Sequence, residues 1–284
     1  MAGSYATGKK KFSIYILLTY LVLILFILVT ITPIIWGLIT SLKGTGEINR
    51  FPPTIFPEKL DLSNFYKVIF LSNFTTYFKN SCLVTFLCIL ASTIIAGHAA
   101  YAISRFNIKF KEQMMFGILM TSMVPAVALL IPLYIMGVKA GIYNTGFMLV
   151  LVYTSWRTPM LTWILKGFFD SVPIAIEEAA MIDGCTRLRT FYTIVIPMSQ
   201  PGIVSSALLT AVYVWNDFLV SFTFVTKEEL RTVSVGLYSY ITQYGVQWGE
   251  LLSAVMITII PIIILFVLLQ RKFVDGMAAG AVKG

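Results

Sequence analysis

Polar side chains are scarce in this sequence, so the few that interrupt its apolar stretches carry the first chemical information. Trp215, Asn216 and Asp217 stand together in Val214-Trp215-Asn216-Asp217-Phe218. An indole beside an amide and a carboxylate suits a saccharide, because the ring stacks on the apolar face of a pyranose and the polar groups take its hydroxyls. The same three groups also suit a hydrogen-bond network that fixes helix packing. Arg157, in Thr154-Ser155-Trp156-Arg157-Thr158-Pro159-Met160, is an ionised group deep in an apolar run. It reads as lining a path, as one half of a pair with a carboxylate, or as the mark of a shallower segment. His98 is the lone histidine and reads as a satisfied core residue rather than a ligand. No other group completes a catalytic constellation or a metal-ligand cluster. No G-x-x-x-x-G-K-[ST] phosphate loop occurs, and Gly8-Lys9-Lys10 is not one. Cys82, Cys88 and Cys185 form no CxxC, against a disulfide framework or a zinc site. The chain is therefore expected to be no enzyme and to hold no cofactor and no metal of its own.

Composition decides which solvent these groups meet. The 284 residues are 58% hydrophobic and 12% charged, with a mean hydropathy of +0.85. Soluble domains run to about a quarter charged residues, so this chain has too little polar side chain to solvate a globule and its natural solvent is lipid. A net charge of +8 in a soluble protein points to nucleic acid. Here the charges sit at the ends of apolar runs, which is the pattern of membrane orientation, and no nucleic-acid partner is expected.

A helix needs about 20 apolar residues to cross a bilayer. Six segments qualify, approximately Ile14–Ser41, Ser81–Ser104, Met115–Val138, Thr145–Gly167, Gly202–Thr226 and Leu251–Gln270. The stretch 12–40 behind Lys9, Lys10 and Lys11 exceeds the roughly 7–15 residues of a signal-peptide core and reads as a retained first span. Pro33, Pro125, Pro132, Pro159 and Pro261 lie in or near these spans, where neighbouring helices can satisfy the freed backbone groups. One set of connections carries twelve basic residues, from Lys9–Lys11 through Arg105, Lys109, Lys111, Lys166, Arg187 and Arg189 to Arg271, Lys272 and Lys283; the other set carries eight. The excess predicts both termini on the cytoplasmic side. Two outer segments are long, 42–80 and 227–250. The first holds a short amphipathic helix pattern at Leu60–Phe70, and its match to a glycosylation sequon at Asn73 reads as coincidence.

The inner connection 168–201 is the most informative part of the chain. Ser171 can cap a helix start and Pro173 suits the first turn, where a missing N–H costs nothing. Glu177 and Glu178 place negative charge in the early turns, as the helix dipole favours. Ala179 and Ala180 keep one face small, and Gly184 is placed to end the helix in a left-handed conformation. A second helical stretch, Thr186–Ile196, runs to a stop at Pro197 and Pro201. The small residues admit a partner's surface, and the carboxylates offer it charge-assisted contacts. On helix mechanics alone, an interfacial hairpin that merely connects two spans is as good a reading.

The pattern Glu178-Ala179-Ala180, Asp183-Gly184, Ile194 and Pro197 resembles the EAA signature of ABC importer permeases. Nearly the whole chain shares the likeness. Asn80–Lys111, with its Ala99–Ala102 step before a basic turn, resembles the second-span region of carbohydrate-uptake permeases. Val214–Phe218 resembles their WNDF motif. The ending Gln270–Gly284 resembles the tail of the smaller, six-span permease of maltose-type importers. His98 departs from the pattern, which carries a small or apolar residue there. The resemblance implies an all-α integral membrane protein with six transmembrane helices, the ABC type I importer permease fold. It implies a cytoplasmic coupling helix, Pro173–Gly184, docked into a separate ATPase, and a tail whose Gly280, Lys283 and Gly284 reach toward the same partner. It further implies a second, different permease subunit, two cytoplasmic ATPase subunits that bind ATP and Mg, an extracytoplasmic solute-binding protein, and a bacterial-type cell membrane. A self-sufficient ion-coupled sugar carrier is the competing expectation; it calls for intramembrane carboxylate relays, for which Asp217 is the clear candidate. An intramembrane enzyme lacks its catalytic pair.

Overall fold

The computed structural model describes residues 14–281. Lys9, Lys10, Lys11, Lys283 and Gly284 lie outside the described residues. Helix α1 spans Ile14–Ser41 and α2 Phe74–Arg105. Then come α3 (Lys111–Thr121), α4 (Ala126–Lys139) and α5 (Gly146–Asp170). The inner connection forms α6 (Ile174–Ile182) and α7 (Arg187–Met198). The chain continues through α8 (Gln200–Asn216), α9 (Leu219–Phe224), α10 (Val233–Tyr238) and α11 (Trp248–Ala281). The sheet among the described residues is a two-stranded antiparallel hairpin, β1 (Ile241–Thr242) with β2 (Gly245–Val246). Gly280 lies in the helical backbone of α11.

Helices α1, α2 and Trp248–Gln270 of α11 are each long and apolar enough to cross a membrane, and two bent pairs raise the number of such spans to five. Helix α5 has the length at 25 residues, but Arg157, Lys166 and Asp170 make it more polar than these. Two expected spans are not single helices. Met115–Val138 breaks into α3 and α4, bent by 85°. The residue before a proline is pushed out of the helical region, and Pro125 forms the N-cap of α4 at the break. Gly202–Thr226 also stops short: α8 ends at Asn216, and Asp217 is extended with ψ 127°. Asp217 Oδ1 accepts the Val220 N–H at 2.9 Å, which satisfies one of the free donors in the first turn of α9. A third bend, of 78°, falls at Ser199 between α7 and α8. Pro197 lies inside α7 and Pro201 opens α8, so the stop lies between the two prolines rather than at the first.

The core lies where α2, α5 and α8 meet. One cluster gathers Val84, Cys88, Leu149, Val152, Tyr153 and Val214 with Phe224. A second, nearer the inner connection, gathers Ala96, Ala100, Tyr101, Leu165, Phe169 and Phe191. The small residues of α2 let aromatic rings approach: a Cβ on Gly97 would stand 3.9 Å from Phe191 Cζ. At the opposite end of the bundle the long connections close over α2 and α11. Buried Asn64 donates from Nδ2 to Lys43 O at 2.8 Å and Ser41 O at 3.3 Å, taking up carbonyls freed at the end of α1. Asn73 Nδ2 donates to Glu228 Oε1 at 3.0 Å, and Asn80 Nδ2 to Glu229 O and Arg231 O. Glu47 accepts from Thr54 Oγ1 at 2.6 Å, and this hydroxyl foremost holds its carboxyl below the ordinary value.

Gly202, in the first turn of α8, sits against α5: a Cβ there would fall 2.3 Å from Phe168 Cδ2 and 2.4 Å from Cγ. Because the obstacle is the root of an aromatic ring, Gly202→Ala is expected to lower stability by about 1–3 kcal/mol. Gly46→Ala, which meets nothing within 4 Å, should stay within about 0.5 kcal/mol of the wild type. Thermal unfolding of the two purified variants in detergent checks this, and equal melting temperatures would contradict the packing assigned to Gly202.

Candidate functional site

The inner connection begins where α5 stops. Ser171 Oγ donates to Phe168 O at 2.6 Å, so Ser171 closes α5 and does not cap α6. Pro173 is the N-cap of α6, with φ −60° and ψ 128° and no side-chain cap. The other end of α6 follows the glycine reading. Gly184 has φ +87°, Gly184 N–H donates to Met181 O at 3.1 Å and Cys185 N–H to Ala180 O at 2.9 Å. These two bonds make a Schellman stop, which needs a residue that adopts the left-handed region freely.

The two glutamates of α6 do different work. Glu178 is exposed, as are Ala179 and Asp183. Ile174, at 55%, and Ile182, at 86%, share their side of the helix one turn before and after Glu178. An exposed apolar stripe with one carboxylate at its centre suits a partner surface. Glu177 faces inward and is 3% exposed. Its Oε1 accepts from Arg105 Nε at 2.5 Å and its Oε2 from Tyr101 Oη at 2.8 Å. It is therefore not offered to a partner, which corrects half of the expected charge-assisted contact.

Arg105 is the residue that sequence reasoning missed, having counted it only as an orientation charge. It ends α2, and its fork reaches three elements. Besides Glu177, Nη1 donates to Ser104 Oγ at 2.9 Å, and Nη2 donates to Phe169 O at 2.7 Å and Val172 O at 2.8 Å. Ser104 Oγ in turn donates to Asp170 Oδ1 at 2.5 Å, and Lys166 Nζ donates to Asp170 Oδ2 at 2.6 Å. The side chains of Arg105 and Glu177 are 5% and 4% exposed. A buried pair holds when its remaining donors and acceptors find partners; here four of the five N–H donors of Arg105 meet an acceptor and both Glu177 oxygens accept. Pairing across 72 positions leaves no local signal, although a glutamate beside an exposed one in a nine-residue helix is a weak hint.

Beneath this clamp, Phe191 packs its ring 4.5 Å from Tyr101 and 5.8 Å from Phe169. A π-helical turn at Phe191–Val195 within α7 presents it there. His98 lies beside it. Its Nδ1 donates to Ile94 O at 2.8 Å, since a carbonyl only accepts, and its Nε2 accepts from Tyr192 Oη at 2.9 Å. Both nitrogens are satisfied, on an exposed face of α2 rather than in the core.

The membrane-depth candidates do not converge on one site. Trp215 is 5% exposed and packed among Val68, Phe74, Val233 and Ala254, with Phe78 edge-on at 5.6 Å. Its Nε1 donates to Thr258 O at 3.2 Å. That ring has no free face for a pyranose. Asn216 is exposed and donates to Val212 O. Asp217 holds the Val220 N–H in the first turn of α9 and accepts from Tyr153 Oη at 2.8 Å. Arg157 stands apart, its guanidinium carbon 4.6 Å from the ring centroid of Tyr213. A cation at mid-span costs about 2.5–3.5 kcal/mol on insertion scales, and a cation–π contact returns only about 0.5–2 kcal/mol of that. Along the same two helices toward the inner connection, α5 and α8 border a cavity of about 1450 Å³ lined by Met115, Phe116, Trp163, Ile164 and Leu209.

Comparisons with known proteins accord with this arrangement. The model of the family described as "Binding-protein-dependent transport system inner membrane component" matches residues 88–278. The chain is 34% identical over 252 residues to the sulfoquinovosyl glycerol transport system permease protein SmoH of Agrobacterium fabrum, covering 89% of this chain and 88% of that one. It is also 34% identical to the trehalose/maltose transport system permease protein MalG of Thermococcus litoralis, with 92% and 94% covered. Among solved structures, one chain of a bacterial ABC transporter involved in import of the acidic polysaccharide alginate superposes with a TM-score of 0.82. The identity is 22%, covering 96% of this chain and all of that one, and the likeness establishes the fold. The chain belongs to the family of inner membrane components of binding-protein-dependent transport systems, and is an ABC importer permease subunit.

Proposed function

We propose that this chain is one of two different permease subunits of an ATP-driven importer of saccharides, coupled to a separate ATPase pair through α6. The observation that carries the reading is the division of labour within α6. Glu177 is consumed by the internal clamp on Arg105, and this leaves Ile174, Glu178 and Ile182 presented outward on a helix that is firmly held from behind. A helix fixed in this way transmits a push rather than absorbing it. Closure of two ATPase subunits on ATP and Mg would move α6, and Arg105 would pass that movement to the ends of α2 and α5. The spans would then expose the path alternately to a solute-binding protein outside and to the cytoplasm. In this reading both termini face the cytoplasm, and the tail that includes Gly280, Lys283 and Gly284 runs toward the ATPase. The transport of sugar conjugates and disaccharides by the named relatives supports a saccharide as cargo. An ion-coupled carrier needs a relay of intramembrane carboxylates, and Asp217 is instead held by the Val220 N–H and the Tyr153 hydroxyl.

Two experiments test this. In the assembled importer in proteoliposomes, Gly184→Val forces a β-branched residue into φ +87°, and Glu178→Lys reverses the exposed charge. Each is expected to reduce uptake about tenfold, the equivalent of about 1.4 kcal/mol of docking, with ATP hydrolysis no longer stimulated by the binding protein. Unchanged uptake and unchanged stimulation in both variants would remove α6 as the coupling element. The clamp is tested separately by a double-mutant cycle on thermal stability. Glu177→Gln alone leaves Arg105 buried without its counter-charge and should cost about 3–5 kcal/mol. Arg105→Met with Glu177→Gln should recover part of that loss. A coupling energy indistinguishable from zero would sink the clamp.

A further inference from the structure

Among the described residues, one cation of the membrane-depth region has no counter-charge. Arg157 lies eleven residues after Gly146 and thirteen before Asp170. At 1.5 Å per residue its Cα is roughly 17 Å from one end of α5 and roughly 20 Å from the other. Arg157 therefore stands near the middle of a helix long enough to cross a hydrocarbon core about 30 Å thick. The side chain does not run along the helix toward a headgroup, because its guanidinium is seated on the face of Tyr213 at 4.6 Å. Its Nε is buried without a hydrogen-bond partner, and its Nη2 meets only Met160 Sδ at 3.9 Å. The ion pairs among the described residues are Arg50–Glu58, Lys67–Glu250, Arg105–Glu177 and Lys166–Asp170. Asp217, the nearby carboxylate of the α8–α9 junction, is committed to Tyr153 and the Val220 N–H.

A half-buried guanidinium held by an aromatic face, with Nε buried and unpartnered, is built to take a planar or tetrahedral oxyanion through two N–H groups at once. Neither Arg157 nor Tyr213 lines the cavity of about 1450 Å³; that cavity begins one to two turns further along the same helices, at Trp163 and Ile164 on α5 and Leu209 on α8, and runs to Lys166 and Asp170 at the inner end.

We infer that Arg157, seated on Tyr213, receives an anionic group of the transported saccharide, a carboxylate as in a uronic acid or a sulfonate, and that it makes the importer prefer acidic over neutral sugars. This rests on the reading of the chain as a saccharide permease. A neutral sugar leaves the guanidinium with hydroxyls alone, whereas an acidic one supplies the missing charge, and in a site of low dielectric that difference is amplified. Tyr213 holds the fork in place before the ligand arrives, which lessens the ordering needed on binding.

The test uses the complete importer with its binding protein and ATPase subunits in proteoliposomes. The probes are trigalacturonate and an oligoalginate, a sulfonated hexose glycoside, and the neutral maltotriose and cellotriose. The wild type is expected to take up at least one acidic probe. Arg157→Gln, which keeps size and removes charge, should raise KM for that probe about tenfold or more, and Arg157→Lys should recover part of the loss. Uptake of only neutral sugars by the wild type, or equal uptake of the acidic probe by Arg157→Gln, overturns the inference and leaves the saccharide-importer reading standing. Uptake of no saccharide at all overturns both. If Arg157→Gln instead dissociates from the second permease on gel filtration, and neutralising one carboxylate of that subunit restores the complex, Arg157 is an interface pair and the inference falls.

Discussion

The buried ion pair between Arg105 and Glu177 is the constraint around which the inner half of the molecule is arranged. A guanidinium withdrawn from water must find partners for its donors, or the desolvation penalty outweighs the attraction. Arg105 places four of its five N–H groups only because three elements arrive together. Helix α2 must end with Arg105 at the mouth of the bundle, α5 must present the Phe169 carbonyl, and the turn into α6 must present the Val172 carbonyl and then Glu177. Helix α6, with its exposed outer stripe, is thereby tied to the ends of α2 and α5. The aromatic packing of Phe191 on Tyr101 and Phe169 supplies the apolar floor on which this polar clamp stands.

A second constraint comes from the surroundings of the helices. In lipid, a backbone group freed by a helix break has no water to turn to, and two of the interruptions carry replacement bonds. At the α8–α9 break, Asp217 takes the Val220 N–H and the Tyr153 hydroxyl, and Ser234 Oγ donates to Trp215 O. At the end of α1, Asn64 takes carbonyls. This explains why the polar residues that most resemble a ligand site are largely architectural. Trp215 and Asp217 are occupied in repairing breaks and filling core, and Arg157 is the charged group left over after the repairs.

Exposure in the isolated chain follows the same logic. Nearly all of α1 from Ile14 to Trp36 is exposed, as is the outward stripe of α6. The first is apolar throughout and belongs against lipid or another membrane chain. The second is short, helical and carries a carboxylate, as befits a contact with a protein in water. The two exposed surfaces thus differ in chemistry.

The sequence by itself determined the class of protein, because composition and the length of apolar runs are summed quantities that need no tertiary information. It also determined the inner loop, since a proline start, small residues and a left-handed glycine stop act over a few positions; Gly184 ends α6 by the expected bonds. Local signals did less well where two candidates competed. Pro125 and Asp217 were each legible as residues, yet the sequence did not say that one would bend a span by 85° and the other would start a new helix. Only the tertiary structure decided which polar groups are spent internally and which are left exposed. Glu177 and Glu178 are adjacent and chemically identical, and their opposite roles depend on an arginine 72 positions away. Such pairings follow from how whole helices pack, and no window along the chain contains them.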